Sequence, residues 1–180
     1  QGPGGVKAEG RMAAVAMVYN PGRTSREKLQ ARYVAGFETL DELGLKLRRE
    51  AALVGWDEAD QQLALSDGGA GLEEFFRKNF PLAKVILDFW HAADHLGDLA
   101  EALYPNDEKR RQEQKADWCT LLKHQGGEKL LIELEQLDLE DRSSSVRECH
   151  RQQTNYIRNN VHRMNYPEYV ANGWQIGSGP

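Results

Sequence analysis

The sequence is short of the features that staple a small secreted protein or hold a protein in a bilayer. Only two of its 180 residues are cysteines, Cys119 and Cys149. Two are too few for a disulfide framework, so a reducing, cytoplasmic setting is expected. No apolar run approaches the ~20 residues of a membrane-spanning helix, and no short apolar signal segment opens the chain, so no membrane partner is expected. Basic charge is not in excess either. Lys and Arg number 23 against 28 Asp and Glu, a formal net charge of −5. That excludes a globally basic nucleic-acid binder but leaves room for a local basic face. Internal repeats and low-complexity tracts are lacking. So is an initiating methionine: the chain runs from Gln1 to Pro180, just past a Gly-Ser-Gly turn, and reads as an interior piece of a longer protein.

What is present suits an ordinary globular protein, one domain or one domain with a sizeable insertion. Residues 1–10 are rich in Gly and Pro and read as a loop. Residues 11–20 (RMAAVAMVYN) form a short apolar run ending at the turn signal Asn20-Pro21-Gly22, which predicts a buried strand. Thr24-Ser25-Arg26-Glu27 matches a capping box. Behind it Leu29, Tyr33, Phe37, Leu40, Leu43, Leu47, Ala51 and Val54 recur every three or four residues. This spacing predicts one long amphipathic helix stopped near Gly55, with Gly36 and Gly44 as local objections. Residues 62–66 (QLALS) predict a strand ending at Asp67-Gly68-Gly69, and 72–80 a helix halted by Pro81. Residues 83–87 (AKVIL) predict a strand ending at Asp88. Strands alternating with helices imply a partly parallel sheet.

From Trp90 the pattern turns helical. Trp90, Ala93, Leu96, Ala100 and Leu103 keep helical spacing, and a charged stretch over 106–117 precedes Trp118, Leu121 and Leu122. Leu130, Leu131, Leu134 and Leu137 mark another helix, and 146–164 a further one. No strand pattern follows Asp88. The expected class is therefore α/β, strands and helices first and an all-α half after.

Four sets of residues invite a chemical reading. Asp67 and Asp88 each stand where an apolar strand gives way to a turn or helix, the place where ligands and metals gather in open α/β sheets. Carboxylates there are hard oxygen ligands for Mg²⁺ or Mn²⁺, although an Asp-Gly turn also needs Asp for its own sake. Asp88, His91 and His95 form D-x-x-H-x-x-x-H, with the histidines on one helical face as in a zinc site. The plainer reading has Asp88 capping the helix and pairing with His91. Cys119 with His124, and Cys149 with His150, lack paired zinc-ligand spacing. Finally, residues 142–166 hold Arg142, Arg147, Arg151, Arg158 and Arg163 against the single acid Glu148, with Tyr156 and Tyr166 interleaved. Arginines fork onto phosphates and aromatics stack on bases, so this stretch is either a nucleic-acid surface or a solvated helix face.

Three strings carry a resemblance: SDGGAGLEEFFRKNFPLAKVILDFWHAADHLGDLAEALYP, LKHQGGEKLLIEL and YIRNNVHRMNYPEYVANGWQIGSGP. Together they resemble bacterial insertion-sequence transposases of the ISKra type. The resemblance implies a partial RNase H-like mixed sheet over 1–90, a helical insertion over 91–175 and the start of a return to the core over 176–180. It implies an Asp-Asp-Glu triad with Mg²⁺ or Mn²⁺, acting on double-stranded DNA at transposon ends and target; a homo-oligomer is allowed. On this reading Asp67 resembles the second catalytic acid and metal ligand, and Asp88 with His91 the supporting signature. An alternative alignment makes Asp88 itself catalytic. Arg147, Arg151, Arg158, Arg163 and Tyr156 would meet DNA. The first aspartate would lie upstream of Gln1 and the glutamate just past Pro180, leaving a fragment with one carboxylate of three. Glu168 is the one in-chain substitute for that glutamate.

Overall fold

The computed structural model describes residues 13–21 and 30–177. Its class is mixed α/β, and the chain divides into two compact units. Unit 1 holds the described residues up to 62 together with Glu74–Ala83, and unit 2 holds Leu63–Glu73 with the residues from 84 onward.

In unit 1, strand β1 (Ala14–Asn20) pairs antiparallel with β2 (Gln30–Gly36), in a register that sets Ala16 opposite Val34 and Met17 opposite Tyr33. Side chains alternate across a strand, so even-numbered residues share one face. On that face Val18 and Val34 are buried with Leu43, Leu47 and Ala51 of helix α1 (Leu40–Leu53), and with Val54, Phe75 and Phe80. Phe75 belongs to α2 (Leu72–Asn79), and the Phe80 ring meets Trp56 edge-on with centroids 5.0 Å apart.

Two expectations are corrected here. The helix does not run from the residues near 24: residues 30–36 are a strand, and α1 begins only at Leu40. Its capping box is Thr39 with Glu42, the Thr39 hydroxyl accepting from the Glu42 N–H and the Glu42 carboxylate from the Thr39 N–H. The Thr24–Glu27 match lies outside the described residues. The period of Leu29, Tyr33 and Phe37 coincides with a helical stripe, but Tyr33 and Phe37 are exposed. Val34 and pairing with β1 decide the conformation instead. The first strand is also buried on one face only, since Val15 and Met17 are exposed.

Unit 2 is built on β3 (Leu63–Ser66) and β4 (Lys84–Leu87), paired in parallel with Ser66 opposite Leu87. Both strands and their parallel relation match the sequence reading. Helices α3 (Phe89–Leu103), α4 (Glu108–Glu135), α5 (Ser144–Asn160) and α6 (Tyr166–Ala171) follow, with a 3-10 turn at Val161–Arg163. The charged stretch over 106–117 is the first half of α4. That helix is interrupted at Gly126, with φ 84° and ψ 175°, and the N–H of Gly127 donates to the carbonyl of Met164 at 3.0 Å. Only glycine fits there, because a Cβ on Gly127 would come within 2.7 Å of the Met164 Cβ. Around this break Leu96, Leu99, Trp118, Leu122, Leu130, Ile157, Met164 and Tyr166 form a core with no solvent exposure. No helix among the described residues is long and apolar enough to cross a membrane.

Candidate functional site at the end of the parallel strands

The carboxyl ends of β3 and β4 bring Asp67 and Asp88 side by side in the chain's ladder. The N–H of Asp88 donates to the carbonyl of Ser66 at 2.8 Å, so pairing extends one residue past β4. Asp67 is exposed and closes an Asx turn, its Oδ1 accepting from the N–H of Gly69 at 2.9 Å. Gly68 makes that turn with φ 79°, and a Cβ there would lie 2.9 Å from Leu87 Cδ1 and 3.0 Å from the Tyr156 hydroxyl. Asp88 is buried at 6 % exposure and caps α3, its Oδ1 accepting from the N–H groups of Trp90 at 2.8 Å and His91 at 3.3 Å. The capping half of the plainer reading of Asp88 therefore holds.

Residues almost 100 positions away complete the edge. The Tyr156 hydroxyl donates to the carbonyl of Asp67 at 2.9 Å, and the Tyr166 hydroxyl to the carbonyl of Leu87 at 2.9 Å. Burial pushes the Tyr156 phenol up to about 12, with Asp67 and Asp88 adding to the rise and Arg163 opposing it. Tyr166 is pushed up further, again chiefly by burial. Both phenols are thus held as neutral donors. Tyr156 stacks on His95 with centroids 3.6 Å apart, His95 Nδ1 meets Gln153 Oε1 at 2.6 Å, and His91 lies edge-on to His95. Arg163 is buried at 4 % exposure. Its guanidinium donates to Ser66 Oγ at 3.2 Å and to Asn160, and its Nε lies 3.9 Å from the Glu73 carboxylate. Glu73 also meets His162 Nε2 at 3.0 Å.

The structure brings Asp67, Asp88, His91, His95, Tyr156, Arg163 and Tyr166 to this edge and leaves Arg147, Arg151, Arg158 and Glu168 elsewhere. Arg163 is an internal tie rather than a surface group, which a run of arginines in sequence does not reveal. Arg147, Arg151 and Arg158 are exposed and share one face of α5, at spacings of four and seven residues. Arg151 forks onto Glu148 at 2.8 and 2.6 Å, holding the Glu148 carboxyl down at about 2 together with Gln152. Arg158 pairs with Glu135 at 2.9 Å, and Arg147 donates to the carbonyl of Arg142. Glu168 lies on α6, where it accepts from Asn165.

Among the described residues no group of three or more His, Cys, Asp or Glu is placed to hold a metal ion. Asp88, His91 and His95 do not assemble a zinc site, since the His95 ring is engaged with Gln153 and Tyr156. Cys119 and Cys149 are free thiols, both pushed up by burial, and His150 is turned to the carbonyl of Leu134 at 2.7 Å. Sequence reasoning missed Gln153, Asn160 and Glu73 as neighbours of the edge. Helical spacing from Tyr156 would have found Gln153 and Asn160; Glu73 carries no such signal. No protein-family model, curated protein or solved structure matches the chain.

Proposed function

We propose that the chain is the portion of a DDE-type transposase that bears the second catalytic carboxylate, Asp67, and the helical insertion after it. One observation carries the reading: an exposed aspartate at the carboxyl end of one of two adjacent parallel strands, with its backbone carbonyl fixed by Tyr156. The strings flanking Asp67 and those at 155–180 resemble ISKra-type transposases and support the same assignment, including an RNase H-like core. Asp88 and His91 then shape the edge, Asp88 by capping α3. Free Cys119 and Cys149 suit a cytoplasmic protein.

Two divalent ions such as Mg²⁺ or Mn²⁺ need several oxygen ligands between them. The described residues do not fit such a centre by themselves. On this reading the missing ligands come from outside them, and the isolated chain holds DNA without cutting it. The exposed arginines Arg147, Arg151 and Arg158 meet phosphates, and DNA competes with Glu148 and Glu135 for two of them.

Supercoiled plasmid incubated with the chain and Mn²⁺ stays intact; nicking lost in Asp67→Asn would show a complete site within the chain. Replacing the three arginines by alanine weakens DNA binding and flattens its salt dependence by a log–log slope of roughly 0.9 per lost contact. An unchanged slope returns α5 to the status of a solvated helix. In a protein carrying the chain with its two partner carboxylates, Asp67→Asn abolishes cleavage and leaves folding intact. Cleavage that survives Asp67→Asn but not Asp88→Asn moves the role to Asp88.

A further inference from the structure

Helix α5 packs on α3 and α4 with Thr154, Ile157 and Asn160 buried, and turns its other side to solvent. That exposed side carries two parallel rows. The first is Arg147, Arg151 and Arg158. The second is Gln152, Asn155 and Asn159, spaced three and four residues apart, with Gln152 and Asn159 exposed and Asn155 half-buried. Arg151 and Arg158 stand four and three residues from Asn155, while Tyr156 stands four residues after Gln152 and three before Asn159. The amide row therefore runs between the arginines and the side of α5 that meets the Asp67 edge. Glu148 is the one acid on α5, and Arg151 already forks onto it. Stability does not account for the two asparagines, because alanine, lysine or glutamate would serve an exposed helix better. Gln152 donates to the Glu148 carboxylate at 2.8 Å and Asn155 accepts from Arg158. Asn159 makes no side-chain hydrogen bond among the described residues.

We infer that Gln152, Asn155 and Asn159 read base edges in the major groove of duplex DNA, beside the phosphates that the arginines hold. The inference rests on the DNA contact proposed above and adds a choice of sequence to it. Three arginines against one paired acid select a polyanion as the occupant. The amides select a duplex with readable bases. A side-chain amide offers a donor and an acceptor together, the pattern that adenine N7 and N6 complement in the major groove of DNA. Phosphate contacts by themselves carry no sequence information. The corresponding groove of an RNA duplex is too deep and narrow for side chains, so DNA is the partner. Reach is adequate as well. At about 1.5 Å per residue the helix from Arg147 to Asn159 spans about 18 Å, or about five base pairs of about 3.4 Å each. On the transposase reading these pairs adjoin the bond to be cut, because Tyr156 joins the row to Asp67.

Selection by the whole chain from a pool of DNA duplexes with about ten randomised base pairs, one helical turn, tests this. Enrichment of adenine within about five consecutive pairs is expected. Asn159→Ala and Asn155→Ala each relax the choice at one position and leave the salt slope as in the wild type, since no phosphate contact is lost. Alanine is the better helix former, so both variants keep the fold, which far-UV circular dichroism checks. Replacing the adenine at the position relaxed by Asn159→Ala with 7-deazaadenine removes its N7 acceptor. That weakens wild-type binding at least about fivefold and leaves binding by Asn159→Ala unchanged. Arg151→Ala does the opposite, weakening binding to every sequence alike and flattening the slope. Binding without enrichment overturns base reading and leaves the phosphate contacts standing, as does one enriched sequence shared by the wild type, both asparagine variants and Gln152→Ala. Equal or tighter binding to the enriched sequence as duplex RNA overturns it too. A chain that binds no DNA overturns both readings.

Discussion

The two units of the chain use similar ingredients to opposite effect. Among the described residues, all of the largest completely buried side chains, Trp118, Tyr166, Tyr169, Leu96 and Met164 among them, belong to unit 2. Most of the exposed large apolar ones belong to unit 1: Val15, Met17, Tyr33, Phe37, Leu40, Leu45, Leu53 and Leu82, against Trp90, Ile132 and Val170 in unit 2. Four main helices close around one interior in unit 2. In unit 1 a two-stranded sheet and α1 bury one side each. Local amphipathicity makes an element, and only a second layer turns it into a closed core.

Truncation in the two cores should give the widest separation. Trp118→Ala empties a fully enclosed site and is expected to cost about 3–5 kcal/mol, whereas Leu47→Ala, at the thin core of unit 1, costs about 2. Urea unfolding measures both, and equal costs would erase the contrast. Glycines with positive φ sharpen it further. Gly68→Ala meets Leu87 and Tyr156 as well as left-handed strain, for a loss of about 2–3 kcal/mol. Gly55→Ala in unit 1, at φ 76° with open space around it, meets the strain alone, about 1 kcal/mol.

One substitution can be made in both units. Tyr156→Phe removes a donor to the Asp67 carbonyl and costs about 1 kcal/mol, while Tyr33→Phe, on an exposed face, changes stability by less than about 0.5. The Tyr156 pKa is raised in the folded state. Stability tied to it is therefore full below the usual pH of about 10 and falls as pH rises through about 12. Tyr156→Phe flattens that part of the unfolding profile, and phenolate absorbance follows the titration directly.

The smallest effect belongs to surface pairs, where the units should be alike. Glu148 is held at about 2 by Arg151 and Gln152, and Glu38 is lowered by Lys46. A depressed carboxyl contributes above its ordinary pKa of 4.5 and loses that contribution as pH falls toward the folded value. Glu148→Gln and Glu38→Gln should each give a slight loss at neutral pH that disappears near pH 2 in thermal melts.

What sequence revealed follows the same division. Strands β3 and β4 were legible because short apolar runs, β-branched in β4, end at Asp-Gly and Asp-Phe punctuation, and Asp88 as a cap followed from its place before Phe89. The 29–37 segment was not, because Tyr33 and Phe37 fall on helical spacing while their exposure is fixed by pairing with β1, a contact distant in sequence. At the site, Asp67 and Asp88 were visible as strand-terminal acids. The burial of Arg163 was not, since nothing local distinguishes it from Arg158, five residues earlier on the same stretch.

The edge that holds Asp67 is sealed by hydrogen bonds spanning 89 residues from Tyr156, 79 from Tyr166 and 97 from Arg163. During synthesis β3 and β4 therefore leave the ribosome long before their lids exist. At about 5–20 residues per second the unsealed interval lasts roughly 5–20 s. A chain stalled before Tyr156 presents Leu87, Ile86 and the Ser66 hydroxyl to solvent, and premature termination in α5 leaves the edge unsealed for good.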